Sequence, residues 1–154
     1  MPYRKRYYKR VSNPDKYSIE HTVFNGTSPT TSINSLYQSD TIIVPATLTQ
    51  GMRKVKHLTI SLGSSGTTSW YWAVVYVPYT QNPSALNGTS GGALYEPSQF
   101  VMGCGIIDLD AGPNRIHIPL SRNLNQGDSI HHILGSTGAG YTFNGIVQYA
   151  ITYN

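Results

Sequence analysis

The sequence predicts an all-β domain of eight strands, either a sandwich or a jelly roll in which two four-stranded sheets pack face to face. Short apolar or alternating segments recur along its 154 residues, separated by turns rich in Gly, Pro, Asn and Ser. Nowhere do apolar residues recur at the three- and four-residue spacing of a helix over a helical length. Because β-branched and aromatic residues dominate these segments, strands are favoured throughout the chain.

The first four predicted strands differ in how their apolar residues are arranged. Residues 17–24 alternate strictly, which predicts a strand with two different faces. Residues 40–46 form a brief apolar run that ends near Pro45, and residues 53–62 alternate in their second half. Residues 70–78 (WYWAVVYVP) are apolar on both faces, which predicts a central strand covered on both sides.

The second half of the chain supplies four more strands after one long connection. Residues 79–97 join the two halves, and a loop of that length is expected to be functional or mobile. Residues 98–108 are apolar, and Gly103 and Gly105 leave room there for a bulge or a close neighbour. The remaining predicted strands are residues 114–118, 128–134 and 142–153.

Basic residues are concentrated at the amino terminus. Residues 1–16 carry six Lys or Arg and one Asp, a net charge of +5, whereas residues 17–154 carry five Lys or Arg and six acidic residues, a net charge of −1. A cationic segment beside a nearly neutral domain is typical of proteins that bind nucleic acid or another polyanion. We therefore divide the chain into a basic aromatic arm, residues 1–16, and a jelly-roll domain, residues 17–154.

Tyrosines are interleaved with the cations of this arm. Lys and Arg displace counterions from phosphates, and tyrosine rings stack on unpaired bases whatever the base sequence. With no helix to enter a major groove, the domain is expected to bind without sequence preference. Residues 4–10 also fit a nuclear import signal. The predicted nucleic-acid-binding residues are Tyr3, Arg4, Lys5, Arg6, Tyr7, Tyr8, Lys9 and Arg10.

The composition of the chain favours self-association over several other classes of protein. Charged residues make up 12% of the sequence, whereas about a quarter is typical, so much of the surface is uncharged. Such a surface can pack against copies of itself at modest desolvation cost. Cys104 is the only cysteine, which excludes an internal disulfide. No apolar stretch approaches membrane-spanning length, so no membrane insertion is expected.

Five segments stand in an informative order behind the basic arm. They are GMRKV at 51–55, WYWAVVYVP at 70–78, LYEP at 94–97, VMGCG at 101–105 and RNLNQGDSI at 122–130. Spread over nearly the whole chain, they resemble the capsid proteins of small circular single-stranded DNA viruses that encode their own replication initiator, the circovirus-like and related environmental viruses. The resemblance implies a jelly roll, in agreement with the strand count.

The resemblance also implies a function. Proteins of that family form an icosahedral shell around the genome with the basic arm inside, and so short a chain suits the smallest shell, a T=1 assembly of sixty copies. We expect a homo-60-mer that packages single-stranded DNA, located in the virion and, during assembly, in the host nucleus. A host receptor of unknown identity is the other expected partner, and no enzymatic activity is expected.

Three other functions fit parts of the sequence. A glycan-binding β-sandwich lectin would use the same fold, with its ligand at the loop ends. The coat protein of a small satellite RNA virus would use the same fold and the same arm. Ser90 in a GTSGG run, with His21 and Asp40 earlier in the chain, matches the residue types of a serine-protease triad, but a glycine-rich run in a long loop is more often a turn.

Further candidate residues lie in the domain. Extra cations for the inner face of a shell would come from Arg53, Lys54 and Lys56. Aromatic and apolar loop residues are the favoured anchors between subunits, because such residues carry a large share of interface energy. The predicted interface residues are Tyr79, Leu86, Leu94, Tyr95 and Tyr141.

Metal binding has only weak candidates. Asp108 and Asp110 stand in an oxygen-rich turn that suits a structural calcium ion, but the bidentate Glu of a helix-loop-helix site is missing. His131 and His132 are neighbours on one predicted strand and must therefore point to opposite faces, so they cannot share one ion. No other metal and no cofactor are expected.

Overall fold

Eight strands form two antiparallel sheets. The computed structural model describes residues 17–32, 35–65, 69–83, 100–108 and 112–153. The first sheet has the order β1-β8-β3-β6 and the second has the order β2-β7-β4-β5. The strands are β1 (Ser18–Thr27), β2 (Tyr37–Val44), β3 (Arg53–Ser64), β4 (Ser69–Val77), β5 (Val101–Asp108), β6 (Asn114–Leu124), β7 (Ser129–Ser136) and β8 (Thr142–Tyr153).

The order of the strands is that of a jelly roll. Six of the seven connections cross from one sheet to the other, and only β4 and β5 are neighbours both in sequence and in a sheet. This crossing pattern buries one face of each sheet against the other. The predicted fold class is therefore confirmed, and every predicted strand corresponds to one in the structure.

The two sheets meet in one large apolar core. Leu58, Ile60 and Val147 from the first sheet lie in it together with Trp70 and Leu134 from the second, and none is more than 1% exposed. Trp70 makes an edge contact with Phe143, at 6.0 Å between ring centroids, and so connects the two sheets. Replacing a buried side chain of this size by alanine typically costs about 3–5 kcal/mol.

Strand β4 is central and covered on both faces, as its sequence predicts. Trp70 and Val74 on one face belong to the core between the sheets. Val75 and Val77 on the other face are buried in a second cluster with Ile133 of β7. Because β4 lies between β7 and β5, its backbone is paired on both sides as well.

The two glycines of β5 have the predicted roles. A Cβ atom on Gly105 would lie 3.0 Å from Nε1 of Trp72, and one on Gly103 would lie 3.2 Å from Ile118. Side chains there would have to displace the indole or the facing strand. The register of β4 and β5 also shifts between Val74 and Val75, which is the irregularity that the glycines predicted.

Strand β6 is longer than the sequence predicts, because Pro119 does not end it. β6 is an edge strand of the first sheet, where a proline removes no ladder hydrogen bond on its free side. The register shift between Lys56 and Leu58 of β3 leaves Pro119 without a regular partner, and pairing resumes at Ser121. The proline is thus accommodated by a bulge in the middle of the strand.

Candidate nucleic-acid interface

The first sheet has an outer face that turns away from the core. Directly opposite residues of paired strands share a face, so the registers of β1, β8, β3 and β6 define rows of side chains across the sheet. We call this surface the basic face. It comprises Ile19, His21, Val23 and Asn25 of β1, Asn144, Ile146, Gln148 and Ala150 of β8, Lys54, Lys56, Thr59 and Ser61 of β3, and Arg115, His117 and Ser121 of β6.

A bulge at His57 places the two lysines on this face. In a regular strand Lys54 and Lys56 would share a face with Leu58, which is fully buried in the core. His57 has a positive φ of 53°, and the register of β3 with both neighbouring strands shifts at this point. The extra residue reverses the alternation, so both lysines point outward on the same side as Thr59.

The described residues of the basic face carry positive charge and no carboxylate. Lys54, Lys56 and Arg115 are its fixed cations, and its described residues include no Asp or Glu. Glu20 of β1 lies on the other side of the sheet, opposite Tyr149. Burial, followed by the charge of Glu20, raises the pKa of that tyrosine, which agrees with a carboxylate directed away from the basic face.

Lys56 also lies beside the point where the arm joins the domain. Its Nζ is 4.7 Å from the centre of the Tyr17 ring, within the range of a cation–π contact. Tyr17 directly follows residues 1–16, so the arm is attached at the lysine end of the basic face. The predicted arm residues themselves, Tyr3 to Arg10, lie outside the described part of the chain.

Arg53 does not lie with the two lysines. It is 4% exposed, and its guanidinium points into the sandwich. Nη1 donates to the carbonyl of Pro45 and Nη2 donates to the carbonyl of Asp128, each at 2.9 Å. Of the three predicted inner-face cations, the structure therefore brings Lys54 and Lys56 together and uses Arg53 to join two connections of the backbone.

Asp128 organises the turn between β6 and β7. The hydroxyl of Tyr76 donates to its Oδ2 at 2.6 Å, and the backbone N–H of Asn125 donates to the same atom at 2.8 Å. The backbone N–H of Tyr79 donates to Oδ1 at 3.1 Å. Burial, followed by the bond to Asp128, raises the pKa of Tyr76 to about 12. The same carboxylate thus holds the turn and the start of the long connection.

The predicted subunit-interface residues fall into three groups. Tyr79 is 63% exposed and available to a neighbouring copy. Tyr141 is partly buried and packs on Trp70, at 6.4 Å between ring centroids. Leu86, Leu94 and Tyr95 lie outside the described residues.

Other exposed apolar side chains were not singled out from the sequence. Leu48 is 79% exposed and Val23 is 74% exposed, and Ile42 and Ile106 are also largely exposed. Alternation predicts that a strand such as β1 has two faces, but it does not reveal that Phe24 faces the core while Val23 faces outward.

The structure offers no support for a metal site in the part of the chain that it describes. Asp108 ends β5 and is exposed, and Asp110 lies outside the described residues. Across residues 17–32, 35–65, 69–83, 100–108 and 112–153, no three His, Cys, Asp or Glu side chains come together as metal ligands. The calcium hypothesis stays a prediction.

Asp40 has a histidine partner, but it is not His21. Nδ1 of His131 lies 2.8 Å from Oδ1 and 3.0 Å from Oδ2 of Asp40. Nε2 of His131 lies 2.9 Å from Oγ of Ser129, so the three side chains stand in the order of a hydrolase triad. They lie on the outer face of the second sheet, whereas His21 lies on the basic face, and Ser90 is outside the described residues.

His131 and His132 point to opposite faces, as their positions predict. The ring of His131 forms hydrogen bonds with Asp40 and Ser129 on the outer face of the second sheet. His132 is 1% exposed in the core, where its ring makes an edge contact with Phe24 and neither ring nitrogen has a hydrogen-bond partner among the described residues. Burial lowers the pKa of His132 to about 4.

Comparison with known proteins leaves the family of the chain open. No family model matches it, and no curated protein matches it significantly in sequence. Similar solved structures include an aminopeptidase from a marine sediment Thaumarchaeota archaeon, with 12% identity over 88% of this chain and 33% of that one and a TM-score of 0.46. A family two carbohydrate esterase from Cellvibrio japonicus has 14% identity over 89% and 35% of the two chains and a TM-score of 0.35.

A Bacillus endospore appendage from a family of disulfide-linked pili is also similar, with 15% identity over 94% of this chain and 96% of that one and a TM-score of 0.28. This chain spans about a third of the length of the aminopeptidase and the esterase. At such TM-scores these likenesses carry no argument about function. Within the described residues, no helix is long and apolar enough to cross a membrane.

Proposed function

We propose that this protein is the coat protein of a small single-stranded DNA virus. Sixty copies would close into a T=1 shell, and the arm together with the basic face would bind the DNA inside it. The observation that carries the proposal is the position of Tyr17, where the arm joins the domain beside Lys56 on a face without described carboxylates. Arm and face then contact one continuous polyanion from the same side of the domain.

Charge balance supports a role for the basic face. Sixty arms of net charge +5 carry about 300 positive charges, whereas a strand encoding these 154 residues alone carries about 460 phosphates. Lys54, Lys56 and Arg115 add about 180 positive charges per shell, which is enough to match a strand that encodes this chain alone but not a longer genome. The domain would therefore supply part of the positive charge that the arm lacks.

The exposed apolar residues support self-assembly. Leu48, Ile42, Ile106 and Tyr79 are all more than half exposed, and a protein with few charged residues has little electrostatic repulsion to keep copies apart. Contacts between copies would bury these side chains. The same proposal assigns the protein to the virion and, before assembly is complete, to the host nucleus.

Electron microscopy and light scattering of the purified full chain test the proposal. We expect uniform particles far larger than a dimer, with nucleic acid that resists nuclease until the shell is opened. The opened material should then be digested by DNase and not by RNase. Digestion by RNase alone would indicate the coat of a satellite RNA virus. A chain that stays monomeric at every salt concentration and pH tested is not a coat protein.

The role of the arm can be tested separately. Deleting residues 1–10 removes five cations and should leave shells that form without nucleic acid. A chain in which the five Lys and Arg of residues 1–10 are replaced by Gln keeps the length of the arm and serves as the matched variant. Loss of assembly in the deletion but not in the Gln variant would assign the arm to subunit contacts instead of DNA.

A further inference from the structure

A polar trough opens at the end of the basic face that is far from Lys54. It is a cleft of about 670 Å³ that is open to solvent, and it crosses the ends of β1, β8 and β3. Among the residues that the structure describes, no charged side chain lines it. Its walls and floor include Asn25, Thr27, Gly63, Ser65, Thr142 and Asn144.

The register of the strands creates this trough. Asn25 and Asn144 stand directly opposite each other in the β1–β8 pair, and Gly63 stands opposite Asn144 in the β3–β8 pair. The row therefore runs from Asn25 through Asn144 to Gly63, and because Gly63 has no side chain, it is bare backbone beside the Asn144 amide. A Cβ atom on Gly63 would lie 3.0 Å from Oδ1 of Asn144, so even an alanine would begin to fill the floor.

The two amides are the groups available to a ligand. The Thr142 hydroxyl donates to Oγ of Ser65 at 2.9 Å, so these two hydroxyls are already paired with each other. The side chains of Asn25 and Asn144 form no hydrogen bond with any residue in the described ranges. Each amide presents a carbonyl acceptor and two N–H donors, which is the set of groups needed to pair with the edge of a base.

We propose that this trough holds an unpaired nucleobase of the bound strand. The inference rests on the proposed function, because it extends the same surface. Ser61, two positions from Gly63, stands opposite Arg115, so a fixed cation borders the uncharged trough. Phosphates would lie along Lys54, Lys56 and Arg115, and a neutral base would enter the trough. Unpaired bases are recognised in this way, by hydrogen bonds to their exposed edges.

A base site and a phosphate site affect binding differently. Phosphate contacts release counterions, so their loss reduces the dependence of affinity on salt. Amide contacts with a base release none, so their loss lowers affinity equally at every salt concentration. An amide also donates and accepts, which allows it to pair with each of the four bases, so only weak base preference is expected.

Fluorescence anisotropy of the full chain with two labelled strands tests the proposal. One strand is an oligothymidylate and the other is an abasic deoxyribose-phosphate strand of equal length. We expect Asn25→Ala and Asn144→Ala each to weaken binding of the thymidylate strand about fivefold and to leave binding of the abasic strand unchanged. Gly63→Ala, which fills the floor, should act in the same direction.

Asn82→Ala is the matched control, since Asn82 is an exposed asparagine in the connection after β4 and lies outside the basic face. It should bind both strands as the wild type does. Light scattering and thermal melting of each variant show whether assembly and fold are kept. Asn variants that bind thymidylate like the wild type, or that lose both strands equally, overturn the inference while the proposed function stands.

Two further outcomes are decisive. A wild-type chain that binds neither strand at low salt overturns the proposed function together with this inference. Neutral disaccharides, tested with the same variants by calorimetry, should not bind. Binding of a disaccharide that Asn25→Ala abolishes would assign the trough to a glycan and overturn the assignment to a base.

Discussion

Lys56 and Leu58 stand two positions apart in β3, yet their side chains point to opposite sides of the sheet. Leu58 is fully buried, whereas Lys56 contacts the ring of Tyr17 on the outer face. His57 between them adopts a positive φ of 53° and absorbs the extra residue of a bulge. Without this bulge both lysines of β3 would face the core, so one backbone irregularity creates the basic face.

Substitutions at His57 test the backbone conformation of this bulge most directly. A positive φ is unfavourable for branched side chains and costs glycine nothing, so His57→Gly should keep or slightly raise the free energy of unfolding. His57→Val should lower it by about 1–2 kcal/mol. Denaturant titration measures both. A valine variant as stable as the glycine variant would contradict a left-handed conformation at this position.

Lys54 and Lys56 should each contribute to the dependence of DNA binding on salt. Removing one phosphate contact reduces the slope of log affinity against log salt by about 0.7 for a single strand. We therefore expect Lys54→Ala and Lys56→Ala each to reduce the slope by about this amount in anisotropy titrations. Lys54→Arg keeps the charge and should keep the slope. An unchanged slope in both alanine variants would exclude the basic face from the DNA contact.

His132 should make the domain sensitive to acid. Burial lowers its pKa from 6.5 to about 4, so the folded state holds the ring neutral. Its contribution to stability is therefore complete above pH 6.5 and is lost as the pH falls from 6.5 toward 4, on the order of 3 kcal/mol. Denaturant unfolding between pH 7.5 and 4 should show this loss.

His132→Leu should remove most of that acid sensitivity and should be more stable than the wild type, because no described residue forms a hydrogen bond with either ring nitrogen in the core. His21→Gln is the control, since His21 is exposed on the basic face and should leave the loss in place. A leucine variant that loses stability with acid as steeply as the wild type would show that other groups are responsible.

Ionisation of Tyr76 should also make the domain less stable at alkaline pH. Its pKa is raised to about 12, so the contribution of its hydroxyl is present below pH 10 and is lost as the pH rises from 10 to 12. Tyr76→Phe removes the bond to Asp128 and should cost about 1–3 kcal/mol at neutral pH. It should also lack this alkaline loss in denaturant unfolding. Tyr153→Phe, at an exposed tyrosine, should change neither property.

The hydrogen-bonded side chains of Asp40, His131 and Ser129 should have a structural role and no catalytic one. Ser129 and His131 are each 7% exposed, and the contact with Asp40 joins the edge strand β2 to β7. We expect a fluorophosphonate probe to leave Ser129 unmodified in intact-mass measurements that include a known serine hydrolase as a positive control. Asp40→Asn should raise amide hydrogen exchange in β2. Labelling of Ser129 that His131→Ala abolishes would instead establish a hydrolase.

The sequence by itself determined the number and order of the strands, because alternation and turn residues act over a few neighbouring positions. It also determined that residues 70–77 are covered on both sides, since all of them are apolar or aromatic. Gly103 and Gly105 likewise indicated close packing, which Trp72 and Ile118 supply. These features depend on composition within one segment, and local chemistry suffices to predict them.

Only the tertiary structure decided which face of a strand meets the core. Alternation in β1 fits either orientation, and Phe24 turns inward because it packs against His132 and Phe143, more than a hundred residues away. Arg53 and Lys54 are adjacent on β3 and must point to opposite faces, but only the pairing of β3 shows that Arg53 is the one directed inward. Which side chains face the core, and which residues they contact, depends on pairing between distant segments. No single segment encodes that pairing.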